Sequence, residues 1–162
     1  MSKIVKVVLV LAFVSVVWAS QGNQNDLAAD RQRAIEQAIL DVHAEMKKAA
    51  ENLEVEALYS YVLDTIPGPI IEDGRLTRTR QEAFESTRQD FQGITGLSYT
   101  YARKHVTVLS PTTALWVAEG TGDVTLSDGR NISAPFAETI VFVEKDGKWR
   151  VLHAHRSTPN PR

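Results

Sequence analysis

Hydrophobic residues recur with two different periods along the chain, and the change of period divides it into a helical first part and an extended second part. From Asp30 to about Leu53, apolar side chains return every three or four positions, which places them on one face of a helix. The members of this stripe are Ile35, Ile39, Val42, Met46, Ala49 and Leu53. Asp30 is the candidate cap, and shorter patterns predict a second helix at about 55–63 and a third from Thr79 to Phe91.

From Leu97 onward the period falls to two, the repeat of a β-strand. The pattern predicts four strands, and the short turns between them require antiparallel neighbours because a parallel connection needs a long crossover. The predicted bounds are about 97–109, 113–125, 132–144 and 148–156. The last turn contains Asp146-Gly147, the pair typical of a tight hairpin, and Asp73-Gly74 indicates a small hairpin or edge strand over residues 70–76.

This order of elements predicts an α+β fold in which three N-terminal helices pack on an antiparallel four-stranded meander plus a short edge strand or hairpin. Several strands are apolar on both faces, as where Trp116 and Ala118 alternate with Leu115 and Val117. One face is expected to pack on the long helix, and the other face then also needs cover. A second subunit is the simplest cover, so we expect a homodimer that forms through the sheet.

Residues 1–20 have the composition of a secretory signal peptide, with Lys3 and Lys6 ahead of an apolar core and small residues at its end. The apolar run is shorter than the ~20 residues that span a bilayer, and an uncleaved anchor is the alternative interpretation. Residues 21–29 predict a disordered lead-in, which leaves 30–159 for a single folded domain. The protein is therefore expected to be secreted or periplasmic, with no membrane contact after signal cleavage.

Composition narrows the possible chemistry. The chain has no cysteine, which excludes disulfides, thiolate metal sites and cysteine nucleophiles. The formal net charge is -2, so no basic surface favours nucleic acid as a partner.

The end of the chain resembles a known superfamily. Three helices followed by a long meander, the turn Lys145-Asp146-Gly147-Lys148-Trp149 and the run Val151–Ser157 resemble the nuclear transport factor 2-like superfamily in its SnoaL-like branch. The likeness is to the association domain of calcium/calmodulin-dependent protein kinase II and covers about residues 31–159. It implies a cone-like roll with a curved sheet, a pocket between helices and sheet, and dimers or larger rings assembled through the sheet.

The resemblance also implies a pocket lined by arginines. Arg156 stands at one of those positions, but Gly120 and Ile140 stand at the other two, so this sequence departs from the basic pocket of the association domain. The superfamily includes a steroid isomerase and polyketide cyclases that use a carboxylate and a tyrosine. Their catalytic residues do not match this chain one by one.

His153 and His155 are two positions apart on the last predicted strand, so their side chains are expected on one face. With a third ligand from His43, Glu119 or Glu138, they could hold a metal ion. The alternative, which we favour, is that they pack at the sheet and hydrogen-bond to backbone or to a partner subunit. We therefore expect no metal and no cofactor.

Glu138 lies in an otherwise apolar strand, where a buried carboxylate must be either paired or protonated. Arg156 is its natural partner if both side chains lie on one face. Aromatic residues with polar groups are further candidates to line the pocket. The candidate ligand-binding residues are Tyr61, Tyr101, Trp116, Glu138, His153, His155 and Arg156.

Three functions remain open on the sequence. In the first, an exported domain binds a small, largely apolar molecule in a cone-shaped pocket. In the second, the same pocket belongs to an isomerase, cyclase or hydrolase, with Glu138 or a histidine as the base and Tyr61 or Arg156 as the electrophilic partner. In the third, the domain is a homo-oligomeric assembly module without catalysis. An open pocket favours the first two functions, and a filled one favours the third.

Overall fold

The structure is a computed structural model of the 162-residue chain and describes residues 28–66 and 68–159. The predicted signal peptide lies outside the described residues, as does most of the predicted lead-in. The chain divides into two units, at residues 34 and 35. The described part of the first unit, residues 28–34, is helical and exposed.

Three helices are present in the described residues. Helix α1 covers residues 28–51, α2 covers Val55–Tyr59, and α3 covers Arg80–Phe91. The start of α3 is fixed by Thr79, whose hydroxyl accepts a hydrogen bond from the backbone N–H of Glu82 at 3.1 Å. Among the described residues, no helix is both long and apolar enough to cross a membrane.

Six strands of the described residues form one sheet, in the order β2–β1–β6–β5–β4–β3. Their bounds are Ile70–Glu72 for β1, Arg75–Thr77 for β2, Ile94–Ser110 for β3, Thr113–Leu126 for β4, Asn131–Lys145 for β5 and Lys148–Ser157 for β6. The four long strands form the predicted antiparallel meander. The predicted α+β class, with helices packed on a curved sheet, is confirmed.

The sheet is larger than the predicted four strands, and this part of the fold prediction is corrected. The short hairpin β1–β2 joins the same sheet because β1 pairs in parallel with β6, with Glu72 opposite Arg156. Both predicted Asp-Gly turns form with two successive residues in the left-handed region, at Asp73-Gly74 and Asp146-Gly147. This conformation matches the twist of the flanking strands in tight hairpins.

Two helix boundaries differ from the predictions. Residues 28 and 29 are already helical, so Asp30 lies within α1 and does not cap it. Helix α2 ends at Tyr59 rather than near residue 63, because the chain turns there to pair with β6. The Tyr61 carbonyl accepts from the Val151 N–H at 2.8 Å, and the Leu63 N–H donates to the Val151 carbonyl at 2.9 Å.

The main core lies between α1 and the inner face of the sheet. Its largest fully buried side chains are Trp116, Phe142, Ile39 and Val151. A second cluster, made by Val55, Tyr59 and Ala83, joins α2 to α3. The first cluster joins α1 to the sheet, and the second joins two helices. The space between the two clusters is therefore enclosed on several sides.

Irregular pairing bends two of the long strands. The β3–β4 pairing shifts register between Tyr101 and Arg103, next to Gly120. A Cβ atom at Gly120 would lie 2.2 Å from the carbonyl oxygen of Thr100, so only glycine fits there. Such bulges increase the local twist and bend of a strand.

A second irregularity, in the β5–β6 pairing, changes which side chains of β6 face inward. Phe142 lies opposite Val151, but Val141 lies opposite His153, so Leu152 is an extra residue on β6. Without this bulge, the register set by the hairpin turn would place His155 opposite Glu138. With it, Arg156 lies opposite Glu138.

Candidate functional site

A cavity of about 160 Å³ lies between the helices and the inner face of the sheet. Its walls are mostly apolar and come from all three helices and from β1, β3, β5 and β6. The apolar lining includes Met46, Ala50, Leu58, Val62, Ile70, Ile71, Phe91, Ile140, Val151 and Ala154. A small molecule with a largely apolar surface would be complementary to such walls.

One side of the cavity is polar and is organised around the carboxylate of Glu138, which is buried. Its Oε1 atom accepts from Trp116 Nε1 at 2.9 Å and from the Tyr101 hydroxyl at 3.0 Å, and it lies 3.1 Å from His43 Nε2. Its Oε2 atom accepts from the Arg156 guanidinium at 2.8 Å. We call these five residues the Glu138 cluster.

Arg156 is held in place by more than its charge partner. It donates to the Tyr99 hydroxyl at 2.7 Å, and its guanidinium lies over the rings of Tyr99 and Phe136, 4.5 and 5.0 Å from their centroids. Cations at this distance from an aromatic face are attracted by the ring quadrupole. The predicted pairing of Glu138 with Arg156 is confirmed.

The orientation of His43 follows from its partners. Its ring stacks on Trp116, with centroids 3.9 Å apart and planes 19° apart. Because a carboxylate oxygen only accepts hydrogen bonds, Nε2 of His43 carries the proton that faces Glu138. Neutral His43 therefore has its lone pair on Nδ1, and no described residue hydrogen-bonds to that atom.

The cluster also sets the charge of its members. Burial opposes ionisation of Glu138, but the hydrogen bond from His43 and the charge of Arg156 outweigh it and lower the pKa of Glu138 to about 2. Burial raises the pKa of Tyr101, and the neighbouring Glu138 charge raises it further. The carboxylate is thus a permanent anion with its acceptor positions occupied, and it is a weak base.

The structure brings four of the seven candidate residues to the cavity wall: Tyr101, Glu138, His155 and Arg156. Trp116 lies directly behind the wall and reaches Glu138 through its indole N–H. Tyr61 and His153 are not among the lining residues. His153 lies 2.6 Å from the Pro69 carbonyl oxygen through Nδ1, because the bulge at Leu152 turns it away from the cavity.

Several lining residues were not among the seven pocket candidates, although Tyr99 belongs to the aromatic residues with polar groups that were expected near the pocket: His43, Tyr99, Tyr59 and Glu72. His43 was considered only as a possible third ligand of a metal ion. It directly follows Val42 of the apolar stripe of α1, and that position is the sequence signal for its place beside the sheet. Glu72 gave no signal, because its approach to the cavity depends on the parallel pairing of β1 with β6. Within the described residues, no group of three histidine or acidic side chains is arranged to hold a metal ion.

The comparisons with known proteins agree with this architecture. Residues 39–161, most of the chain, match the family described as the SnoaL-like domain. The chain belongs to the SnoaL-like domain family. A comparison with curated proteins found no similar sequence.

Solved structures share the fold at low sequence identity. A candidate dehydratase of the NTF2-like family from Streptomyces avermitilis has a TM-score of 0.71 at 16% identity, over 80% of this chain and 99% of its own. A candidate calcium/calmodulin-dependent protein kinase II association domain from Xanthomonas campestris has a TM-score of 0.68 at 13% identity, over 76% and 87%. The hexachlorocyclohexane dehydrochlorinase LinA type 2 has 0.69 at 12%, over 79% and 87%. The predicted membership of the nuclear transport factor 2-like superfamily is confirmed.

Replacing Glu138→Gln is expected to destabilise the protein by roughly 3 kcal/mol at pH 7, because it leaves the Arg156 charge without its partner inside the protein. The free energy of unfolding, measured with urea, tests this. The matched control is Glu119→Gln, which breaks the exposed pair with Arg103 and should cost less than about 1 kcal/mol.

The difference in unfolding free energy between wild type and E138Q should also depend on pH. The pKa of Glu138 falls from an ordinary 4.5 to about 2 in the folded protein, so its stabilisation is complete above pH 4.5 and is lost as pH falls toward 2. The stability difference between wild type and E138Q should therefore shrink over that interval. A difference that stays constant from pH 6 to pH 2 would contradict an ionised Glu138.

Proposed function

We propose that this protein binds a small, largely apolar molecule in the cavity and holds one polar group of that molecule at the Tyr99 hydroxyl, beside the Glu138 cluster. The observation that carries the proposal is an open cavity whose apolar walls end at the ion pair of Glu138 and Arg156, in which the buried carboxylate accepts four hydrogen bonds. A filled interior would have favoured an assembly module. A rigid polar end beside apolar walls is the usual design of a site that orients a ligand.

The group presented to the ligand is the Tyr99 hydroxyl. It accepts a hydrogen bond from Arg156, and a hydroxyl that accepts still has its own proton to donate. Tyr99 lines the cavity, whereas the acceptor positions of Glu138 are already filled by its own neighbours. The polar group of the ligand is therefore an acceptor such as a carbonyl or hydroxyl oxygen.

Ala154→Phe is expected to fill the cavity and abolish binding, because Ala154 lines it from β6. The probe is 2-phenylethanol, with binding measured by calorimetry and folding checked by thermal unfolding. Ala137→Phe adds the same side chain at an exposed position of β5 and should bind like wild type. Equal binding by A154F and wild type, or no binding by wild type at millimolar probe, would contradict the proposal.

A second candidate function is proton transfer, and the orientation of His43 favours it. Its Nδ1 lone pair is free while Nε2–H is fixed on Glu138, which is the arrangement of a general base with an orienting carboxylate. Two of the similar structures are described as a dehydratase and a dehydrochlorinase. In this reading Nδ1 removes a proton from a carbon beside a carbonyl, and the electron pair moves to the carbonyl oxygen, which the Tyr99 hydroxyl stabilises.

His43→Gln is expected to remove this activity and to reduce catalysed exchange to the background rate. The assay follows deuterium from D₂O into the carbon positions beside the carbonyl of cyclohexanone by NMR. Tyr61→Phe, which alters a tyrosine outside the cavity, is the matched control and should exchange like wild type. Exchange that is unchanged in H43Q would exclude His43 as the base.

The dimer expected from the sequence remains part of the proposal. On the outer face of the sheet, Val117 is 42% exposed, two positions from Leu115, which lies opposite Val141. Leu109, near the end of β3, is 59% exposed. Burying this face in a second copy would remove apolar surface from water. Sedimentation should show a dimer at micromolar concentration and a monomer for Val117→Lys. A wild-type monomer at high micromolar concentration would contradict the dimer.

A further inference from the structure

The charged residues that line the cavity are not all paired. Glu138 is paired with Arg156, and Lys47 is paired with Glu51 at 2.8 Å. Glu72 is different, since no described residue forms a hydrogen bond or an ion pair with its carboxylate. Among the described residues, Glu72 is therefore a charged lining residue without a direct partner, and Arg156 and Arg75 act on it only through their charges.

The position of Glu72 is set by the fold rather than by a flexible loop. It is the last residue of β1, opposite Arg156 in the parallel ladder, and its side chain is half-buried. Burial raises its pKa, with Arg156 acting in the opposite direction. A carboxylate that loses solvent without gaining a partner is a costly arrangement, and a bound cation would relieve that cost.

A second unpartnered polar atom lies beside Glu72. The buried hydroxyl oxygen of Ser86 has no hydrogen-bond partner among residues 28–66 and 68–159. Ser86 and Glu72 both line a small void of about 10 Å³. Arg75 lines it as well, and its charge is paired with Asp90 at 3.5 Å. The void shares Tyr59, Ile70, Glu72 and Thr87 with the main cavity. That volume suits a group about the size of one water molecule. An ammonium group is of that size and can donate to both oxygens.

We propose that Glu72 and Ser86 form a polar subsite that takes the protonated amine of the ligand. The inference rests on the proposed function and narrows it: besides the acceptor group that faces Tyr99, the ligand carries a protonated amine, and its hydrocarbon part occupies the main cavity. Its ammonium group forms an ion pair with the Glu72 carboxylate, which has no other direct partner, and donates hydrogen bonds to that carboxylate and to the Ser86 hydroxyl. A neutral alcohol of the same shape binds in the same cavity without that gain.

The test compares 2-phenylethylamine with 2-phenylethanol, which differ only in the polar group, by calorimetry at pH 8. Wild type should bind the amine about tenfold more tightly than the alcohol, as a charge-assisted contact provides. Glu72→Gln should lose this preference and keep its affinity for the alcohol. Glu45→Gln removes an exposed carboxylate of α1 and should leave both affinities unchanged.

The pH dependence of amine affinity provides a second test. The amine stays protonated below pH 8, since its pKa is close to the ~10.4 of a lysine side chain. Amine affinity should fall on acidification as Glu72 takes up a proton, and because burial raises the pKa of Glu72 the fall should begin at a higher pH than for an ordinary glutamate; it should be smaller in E72Q. Other titratable or charged groups face this position from neighbouring elements, which is why the variant is needed: Tyr59, Asp73, Arg75, Asp90, His155 and Arg156.

Ser86→Ala provides a variant that keeps every charge and should weaken amine binding severalfold without affecting the alcohol. Equal affinity for amine and alcohol in wild type would overturn the subsite while leaving the proposed function intact. An amine preference that survives in both E72Q and S86A would overturn it as well. Failure of wild type to bind either compound would instead contradict the proposed function itself.

Discussion

The structure depends on one buried ion pair and the hydrogen bonds that surround it. Glu138 and Arg156 face each other across β5 and β6, and Trp116, Tyr101 and His43 complete the shell of the carboxylate. Burying a carboxylate costs roughly several kcal/mol unless hydrogen-bond donors of the protein replace the water molecules that it loses. Here Arg156, Trp116, Tyr101 and His43 are those donors. The pair therefore ties α1, β3, β4, β5 and β6 to a single point.

That constraint explains why a cavity persists in a domain of this size. Five side chains are engaged in mutual hydrogen bonds or stacking, so none of them is free to collapse into the space between helices and sheet. The apolar walls follow from the clusters on either side, one around Trp116 and one around Tyr59. Among the described residues of the cavity wall, the Tyr99 hydroxyl proton, His43 Nδ1 and the Glu72 carboxylate are left without a hydrogen-bond partner.

The sequence predicted the strands and most of the helices because their periods and turns are local signals. Asp146-Gly147 identifies the last hairpin, and the isolated carboxylate of Glu138 demands a partner. The sequence could not show which side chains of β6 point toward the inner face of the sheet, because a one-residue bulge at Leu152 reverses the alternation of side chains beyond it. For that reason His153 was assigned to the pocket and instead contacts Pro69. Glu72 depended on a parallel pairing between distant segments, which periodicity cannot reveal.

The measurement that tests the central claim most directly is a carbon-13 NMR titration of the Glu138 carboxyl group in the folded protein. If the surrounding donors and Arg156 keep this group ionised, its resonance should hold the carboxylate position down to about pH 3 and titrate with a pKa of about 2. A midpoint at or above 4.5, the ordinary value, would show that the carboxyl group is not stabilised as an anion and would contradict the account.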